Sequence, residues 1–275
     1  MSDLCDKTAT ELRSLIGRKD ISPVELVESC IERIETADKA LNAVVTPTFD
    51  HARNEAARAE KAVLDGDDLG LLHGLPIGIK DLEATSGILT TLGSQLYANH
   101  VPEKDQGSVS NIRAEGGIVI GKTNTPEFGA GANTRNLVFG ATGNPFAPKK
   151  TCGGSSGGSA VALATGMMPL ASGSDYGGSL RTPAGFCGVV GIRPSPGVVA
   201  AESRPVGLLP FSVLGPMGRT VDDAYLLLQA QMGVDPHDPF STAPDVDLFA
   251  PLEAADLGSI RAMITPDLGV APMSN

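Results

Sequence analysis

Two glycine-rich turns that carry serines, and one lysine at the end of an apolar run, are the residues in this chain that could do chemistry. The first turn, "CGGSSGGSAVALATG" (Cys152–Gly166), sets Ser155 and Ser156 among glycines and then enters helix-forming residues. The second, "SGSDYGGSLR" (Ser172–Arg181), follows shortly after it. Lys80 closes "PIGIK", a poor place for a charge unless it is used or paired. A glycine-rich loop that opens a helix can bind an anion through its backbone N–H groups. The same glycines can instead hold a catalytic hydroxyl in a tight turn. No lysine follows the first turn where a phosphate loop needs one.

A literal phosphate-loop match does occur elsewhere, "GGIVIGKT" from Gly116 to Thr123. Such a loop needs a strand before the glycines, a flexible segment between them and a helix after them. Here the middle residues, Gly117–Ile120, read as the strand itself. Pro126 then disfavours an immediate helix. Nucleotide binding is not expected, and Lys122 is expected to be structural.

The elements that must position these residues alternate between helix and strand. Helices are predicted over "TATELRSLIGRKD", "SPVELVESCIERIETAD" and "FDHARNEAARAEKAVLDGD". In the second, Ser22, Pro23 and Glu25 make a capping signature, and Val24, Val27, Ile31 and Ile34 share a face. Strands are predicted in "GLPIGIKDLEA", "GIVIGKT", "PLASGSD", "GVVGIRP" and "SIRAMITPD". Helices are predicted in "SVSNIRAEG", after "SSGG", and in "TVDDAYLLLQAQMG", capped by Thr220 and closed at Gly233. The pattern implies one α/β domain over 1–275: a mixed, mostly parallel central sheet covered by helices on both faces. Its helical segment spans about 1–70 and its α/β core about 71–275. The chain stops just after a buried-type strand, so the sheet is expected to be incomplete at the C-terminus.

Composition excludes several classes. The net charge of −11, with no cluster of lysine and arginine, argues against a nucleic-acid surface. No apolar run suits a signal peptide or a membrane span. Cys5, Cys30, Cys152 and Cys187 form no CxxC pair, and His51, His73, His100 and His237 form no metal-ligand pattern. Neither metal nor organic cofactor is expected. Free thiols point to a reducing cytoplasm. With no tryptophan and 4% aromatics, the core must be aliphatic.

"GLPIGIKD", "GKTNTPEF", "CGGSSGGSA", "SGSDYGGSLRTPAGFCGVVGIRPS" and "GPMGRTVDDA" together resemble the amidase signature family of serine hydrolases. The resemblance runs from about Ser22 to the last predicted strand. It implies a Ser–cisSer–Lys triad with Ser179 as nucleophile, Ser155 as bridging serine after a cis Gly154–Ser155 peptide, and Lys80 as base. It also implies an oxyanion hole from the N–H groups of Tyr176, Gly177, Gly178 and Ser179. Ser156 is expected to be a hydrogen-bonding neighbour, Asp175 and Arg181 a pair that holds the turn, and Cys187 a buried, inert thiol. Tyr176 departs from the smaller residue common there and would either narrow the acyl pocket or fill space.

The chemistry is consistent with these roles. A serine hydroxyl is a weak nucleophile until a base takes its proton. Lysine can serve if neutral; from a reference pKa near 10.4, deprotonation at pH 7 costs about 4.6 kcal/mol, which burial can supply. The implied reaction is hydrolysis of a small carboxamide to a carboxylate and ammonia or an amine. Two alternatives stand beside it. One is the A-type glutaminase component of a transamidation complex, although "GKTNTPEF" is nearer the hydrolases. The other is an inactive fragment, because family members are longer. An uncovered apolar surface would then favour aggregation or a homodimer.

Overall fold

The computed structural model describes residues 3–202, 209–253, 256–265 and 269–270. Helix α1 (Ala9–Gly17) begins at Thr8, whose hydroxyl accepts from the Glu11 N–H while Glu11 accepts from the Thr8 N–H. Helix α2 (Pro23–Ala37) repeats this reciprocal cap with Ser22 and Glu25. It buries Leu26, Val27, Cys30, Ile31 and Ile34, whereas Val24 is only partly covered. Strand β1 (Val44–Pro47) follows, then α3 (Phe49–Asp65), which stops at Gly66.

The remaining elements are β2 (Pro76–Lys80), α4 (Gly107–Ala114), β3 (Ile118–Thr123), a small hairpin of β4 (Arg135–Asn136) and β5 (Gly140–Ala141), α5 (Gly157–Ala164), β6 (Leu170–Asp175), α6 (Arg181–Cys187), β7 (Val190–Gly191), β8 (Val213–Gly218) and α7 (Val221–Gln231). Their sheet has the order β1-β3-β2-β6-β8-β7. Strands β3, β2 and β6 are parallel neighbours, and the outer pairings, β1–β3, β6–β8 and β8–β7, are antiparallel. The mixed sheet is as expected; β7 runs with the parallel strands, β1 and β8 against them.

Successive residues of β2 point to opposite faces. On one face Gly78 lies under Met168 and Thr123, and α5 joins it through the Ser159–Thr123 hydroxyl contact of 2.6 Å. On the other, Ile77 meets Ile112 of α4 beside Gly117. Helices therefore cover both faces. The core that joins them is aliphatic, with Leu12, Ile16, Ile77, Ile79, Ile112, Val119, Leu163 and Leu227 in one buried cluster. The phosphate-loop match falls where the strand reading puts it: Ile118–Thr123 is a fully buried strand.

Three readings need correction. "SIRAMITPD" is not a strand over its described residues: Ser259 ends a 3-10 turn, and Ile260–Thr265 is irregular. Ile260, Met263 and Ile264 are exposed there, so the alternating side chains have no covering layer to fix them in a sheet. Its last residues, Pro266 and Asp267, lie outside the described residues. Helix α7 ends at Gln231, and Met232, already extended, caps it in place of Gly233. Strands β1 and β8 were not anticipated. In β8, Gly215, Pro216 and Gly218 mask the strand pattern. The Pro216 carbonyl accepts from the Ile192 N–H at 3.2 Å, just past two-residue β7, so its missing donor falls where pairing is short.

Candidate active site

Lys80 ends β2 on the α5 face and is fully buried. Its Nζ lies 2.8 Å from Ser155 Oγ, 2.8 Å from Ser156 Oγ and 2.9 Å from Ser174 Oγ. Burial lowers its pKa to about 7, against the opposing pull of the Glu83 and Asp175 carboxylates. A neutral amine has two N–H donors and one lone pair, so it can satisfy three hydroxyls only if one of them donates to nitrogen. Ser156 Oγ is the least suited to do so, because it already donates to the Ser174 carbonyl at 3.3 Å. Ser155 Oγ has Lys80 as its hydrogen-bond partner, which leaves its hydrogen available.

The first glycine turn delivers Ser155 and Ser156 to that amine. The Gly154–Ser155 peptide is cis, as the family resemblance implied. Thr134 clamps the turn: its Oγ1 donates to the Gly153 carbonyl at 2.9 Å and accepts from the Gly157 N–H at 3.1 Å. Helix α5 then starts against bare backbone. A Cβ on Gly158 would sit 2.2 Å from the Asn124 nitrogen and 2.7 Å from the Ala43 carbonyl oxygen. Gly158→Ala is therefore expected to destabilise the fold by about 3 kcal/mol, at the upper end of ordinary overpacking, because backbone cannot yield as a side chain does. Thermal unfolding would read this as a melting temperature roughly 5–10 °C lower.

The second turn is built on Asp175 at the end of β6. Its carboxylate accepts from the Gly178 N–H at 2.8 Å, the Leu180 N–H at 3.1 Å, Arg181 Nε at 3.0 Å and Arg193 Nη1 at 2.9 Å. Burial opposes its charge, but the Arg181 and backbone hydrogen bonds outweigh it and hold the carboxyl well below the usual range. The expected Asp175–Arg181 pair is present, and Arg193 joins it. Gly178 takes φ +120°, which favours glycine. The two turns are tied together by the Ser156 N–H, which donates to the Ser179 carbonyl at 3.2 Å.

One expected donor is engaged elsewhere. The Gly178 N–H is held by Asp175, whereas the N–H groups of Tyr176, Gly177 and Ser179 have no acceptor among the described residues. Ser179 is partly buried and lines a cavity of about 460 Å³ together with Ser155, Ser174, Leu82, Phe128, Tyr176 and Leu209. No hydrogen bond joins Ser155 Oγ to Ser179 Oγ. The Tyr176 ring is 64% exposed and packs edge-on to Phe211 at 5.8 Å. Cys152 and Cys187 are buried, which pushes their thiols up to about 11 and about 12.

A family model described as Amidase matches residues 25–274. The chain belongs to the amidase signature family. It is 38% identical to the A-type component of the glutamyl-tRNA(Gln) amidotransferase of Thermosynechococcus vestitus, over 91% of this chain and 52% of that protein. Among solved amidase signature structures, a bacterial aryl acylamidase superposes with a TM-score of 0.84 at 39% identity, covering 88% of this chain and 50% of that one. The peptide amidase of Stenotrophomonas maltophilia gives a TM-score of 0.81 at 30% identity, over 88% and 51%. This amidase signature chain thus spans about half the length of the relatives it matches.

Sequence reasoning did not single out Ser174, Ser172 or Glu83. The first two were legible in principle. "LASGSD" places Ser172 and Ser174 at alternate positions of a strand whose neighbours are buried, so both share one face. Lys122, read as structural, is fully buried and donates to the Glu83 carbonyl, to Thr85 Oγ1 at 2.6 Å and to Thr90 Oγ1 at 3.1 Å. Burial lowers its pKa to about 8.

Proposed function

We propose that this chain carries the acylation machinery of an amidase that hydrolyses a carboxamide through a seryl acyl-enzyme. The observation that supports this most directly is a buried amine, near neutrality, set among three serine hydroxyls beside a cavity that holds Ser179. Ser179 Oγ attacks the carbonyl carbon as its proton passes to Ser155, whose own proton passes to Lys80 Nζ. The Ser155–Ser179 contact closes when substrate is seated, as catalytic hydrogen bonds tighten in complexes. The N–H groups of Tyr176, Gly177 and Ser179 stabilise the oxyanion, while that of Gly178 stays with Asp175 and fixes the turn. On collapse the C–N bond breaks, and the proton returns through Ser155 to the leaving nitrogen. Water then repeats the sequence on the acyl-enzyme and releases the carboxylate.

The test is a fluorophosphonate probe followed by peptide mass spectrometry. The adduct is expected on Ser179; an adduct confined to another serine would remove this assignment. A second reading, a glutaminase that supplies ammonia to a partner protein, is favoured by the likeness to the glutamyl-tRNA(Gln) amidotransferase. Glutamine hydrolysis that appears only with partner proteins would select it. The four buried free thiols fit a reducing cytoplasm.

A further inference from the structure

Lys80 sits where two strands part, and the groups that hold them apart are not among those assigned above. The parallel pairing of β2 with β6 runs through Ile77–Leu170 and Gly78–Ala171 and goes no further. The Lys80 N–H, beyond that ladder, donates to Ser172 Oγ at 3.0 Å. The single hydrogen of the Ser172 hydroxyl goes to Glu83 Oε1 at 2.5 Å. Glu83 Oε2 takes a second hydroxyl hydrogen, from Ser108 Oγ at 3.0 Å. Burial pushes the pKa of this carboxyl up, and the Ser172 and Ser108 hydroxyls and the nearby Lys122 charge act the other way, in favour of its ionised form. Glu83 is fully buried, and Lys122, held against its backbone carbonyl, supplies the compensating charge.

We propose that Glu83 is a positioning residue: through Ser172 it holds the β2 backbone at Lys80 in the gap between β2 and β6, and its carboxylate sets the pH at which the amine loses its proton. This rests on Lys80 serving as the base for Ser179. The charged groups around Lys80 are few. Asp175, at the end of β6, is already matched by Arg181 and Arg193. Asp81 turns its carboxylate to Thr91. Lys122 comes from β3. The turn before α5 presents the hydroxyls of Ser155 and Ser156, and neither α5 nor β8 carries an ionisable side chain. Of the carboxylates around the amine, Glu83 acts most strongly in favour of the ammonium form, even with Lys122 beside it, and Asp175 comes next. Glu83→Gln keeps the shape and removes that charge, so Lys80 should lose its proton at lower pH.

The experiment is the rate of fluorophosphonate labelling between about pH 5 and 9 for wild type, Glu83→Gln, Ser172→Ala and Ser179→Ala, with circular dichroism melts alongside. In Glu83→Gln the midpoint of the pH–rate curve is expected about one pH unit below wild type. In Ser172→Ala, which cuts the link and leaves the carboxylate, the plateau rate is expected about tenfold lower with the midpoint near wild type. A wild-type midpoint in folded Glu83→Gln overturns the proposal. Should that variant fail to fold, a wild-type rate in Ser172→Ala overturns it. If Ser179→Ala labels as fast as wild type, the reading of the base and nucleophile falls instead, whatever the other two variants do.

Discussion

Lys80→Met should slow Ser179 acylation by about 10³–10⁴-fold while leaving the fold in place. Methionine matches the length of the lysine stem and carries no charge, and Lys80 is fully buried. Burial already disfavours the charged form of this amine, so an apolar side chain of similar length suits the site, while losing the hydrogen bonds to three hydroxyls costs some stability. The three serine hydroxyls keep their backbone positions but lose the group that takes their proton. In wild type the rate should rise with pH through about 7, as the ammonium form gives way to the amine. The residual rate of the variant should lack that limb. If Lys80→Met retains the wild-type pH–rate curve, the base lies elsewhere.

The same substitution has a signature in stability. The folded-state value of about 7 lies below the ordinary 10.5, so between those two values the unfolded chain holds a proton that the folded chain does not. Stability therefore rises with pH across that window. Lys122, at about 8, adds to the same slope and remains in the variant. Melting temperatures measured at the two ends of the window should differ less in Lys80→Met than in wild type.

Asp175→Ala is expected to cost about 2–4 kcal/mol and, separately, about a hundredfold in rate. The carboxylate satisfies two N–H groups of the turn that leads to Ser179 and binds two guanidinium groups. Without it, the Gly178 and Leu180 N–H groups lose their acceptor, and the path into α6 keeps its backbone ties, Ser156 N–H to the Ser179 carbonyl and Thr182 N–H to the Gly178 carbonyl, but no side-chain anchor from Asp175. The pH dependence adds a check. Because this carboxyl is held below its ordinary value of 3.8, its contribution is present above that value and is lost as pH falls through the folded-state value. Acid unfolding of Asp175→Ala should be flatter than that of wild type in that region. Asp175→Asn, which keeps one oxygen for an N–H, should recover part of the stability and part of the rate. An alanine variant with wild-type melting and rate would show that the turn holds itself.

Local chemistry made most of the helices legible. Ser22 and Glu25 cap α2 as read, and Thr220 caps α7. The strand within "GIVIGKT" was legible because a run of β-branched residues cannot be the flexible part of a phosphate loop. The misses share a different cause. Gly215, Pro216 and Gly218 mask the strand pattern of β8, yet it pairs with β6 over its whole length. "SIRAMIT" reads as a strand by composition, yet it has no neighbour to pair with among the described residues. The triad positions came from long ordered motifs. Glu83 could not, because its importance lies in one bridging hydrogen bond to a residue far away in sequence. Gly178 was read as an oxyanion donor because a motif shows which N–H groups are near, not where each one points.

The carbonyl of Ala43 accepts the Asn124 N–H and lies beneath the first turn of α5, where Gly158 leaves room for it. The Asp38 carboxylate, which takes the Ala43 and Val44 N–H groups, hooks that peptide in place. Ala43 and Asp38 thus support the start of α5, just after Ser155 and Ser156. A protein trimmed ahead of Val44 would keep every residue of the proposed triad and still lose that support.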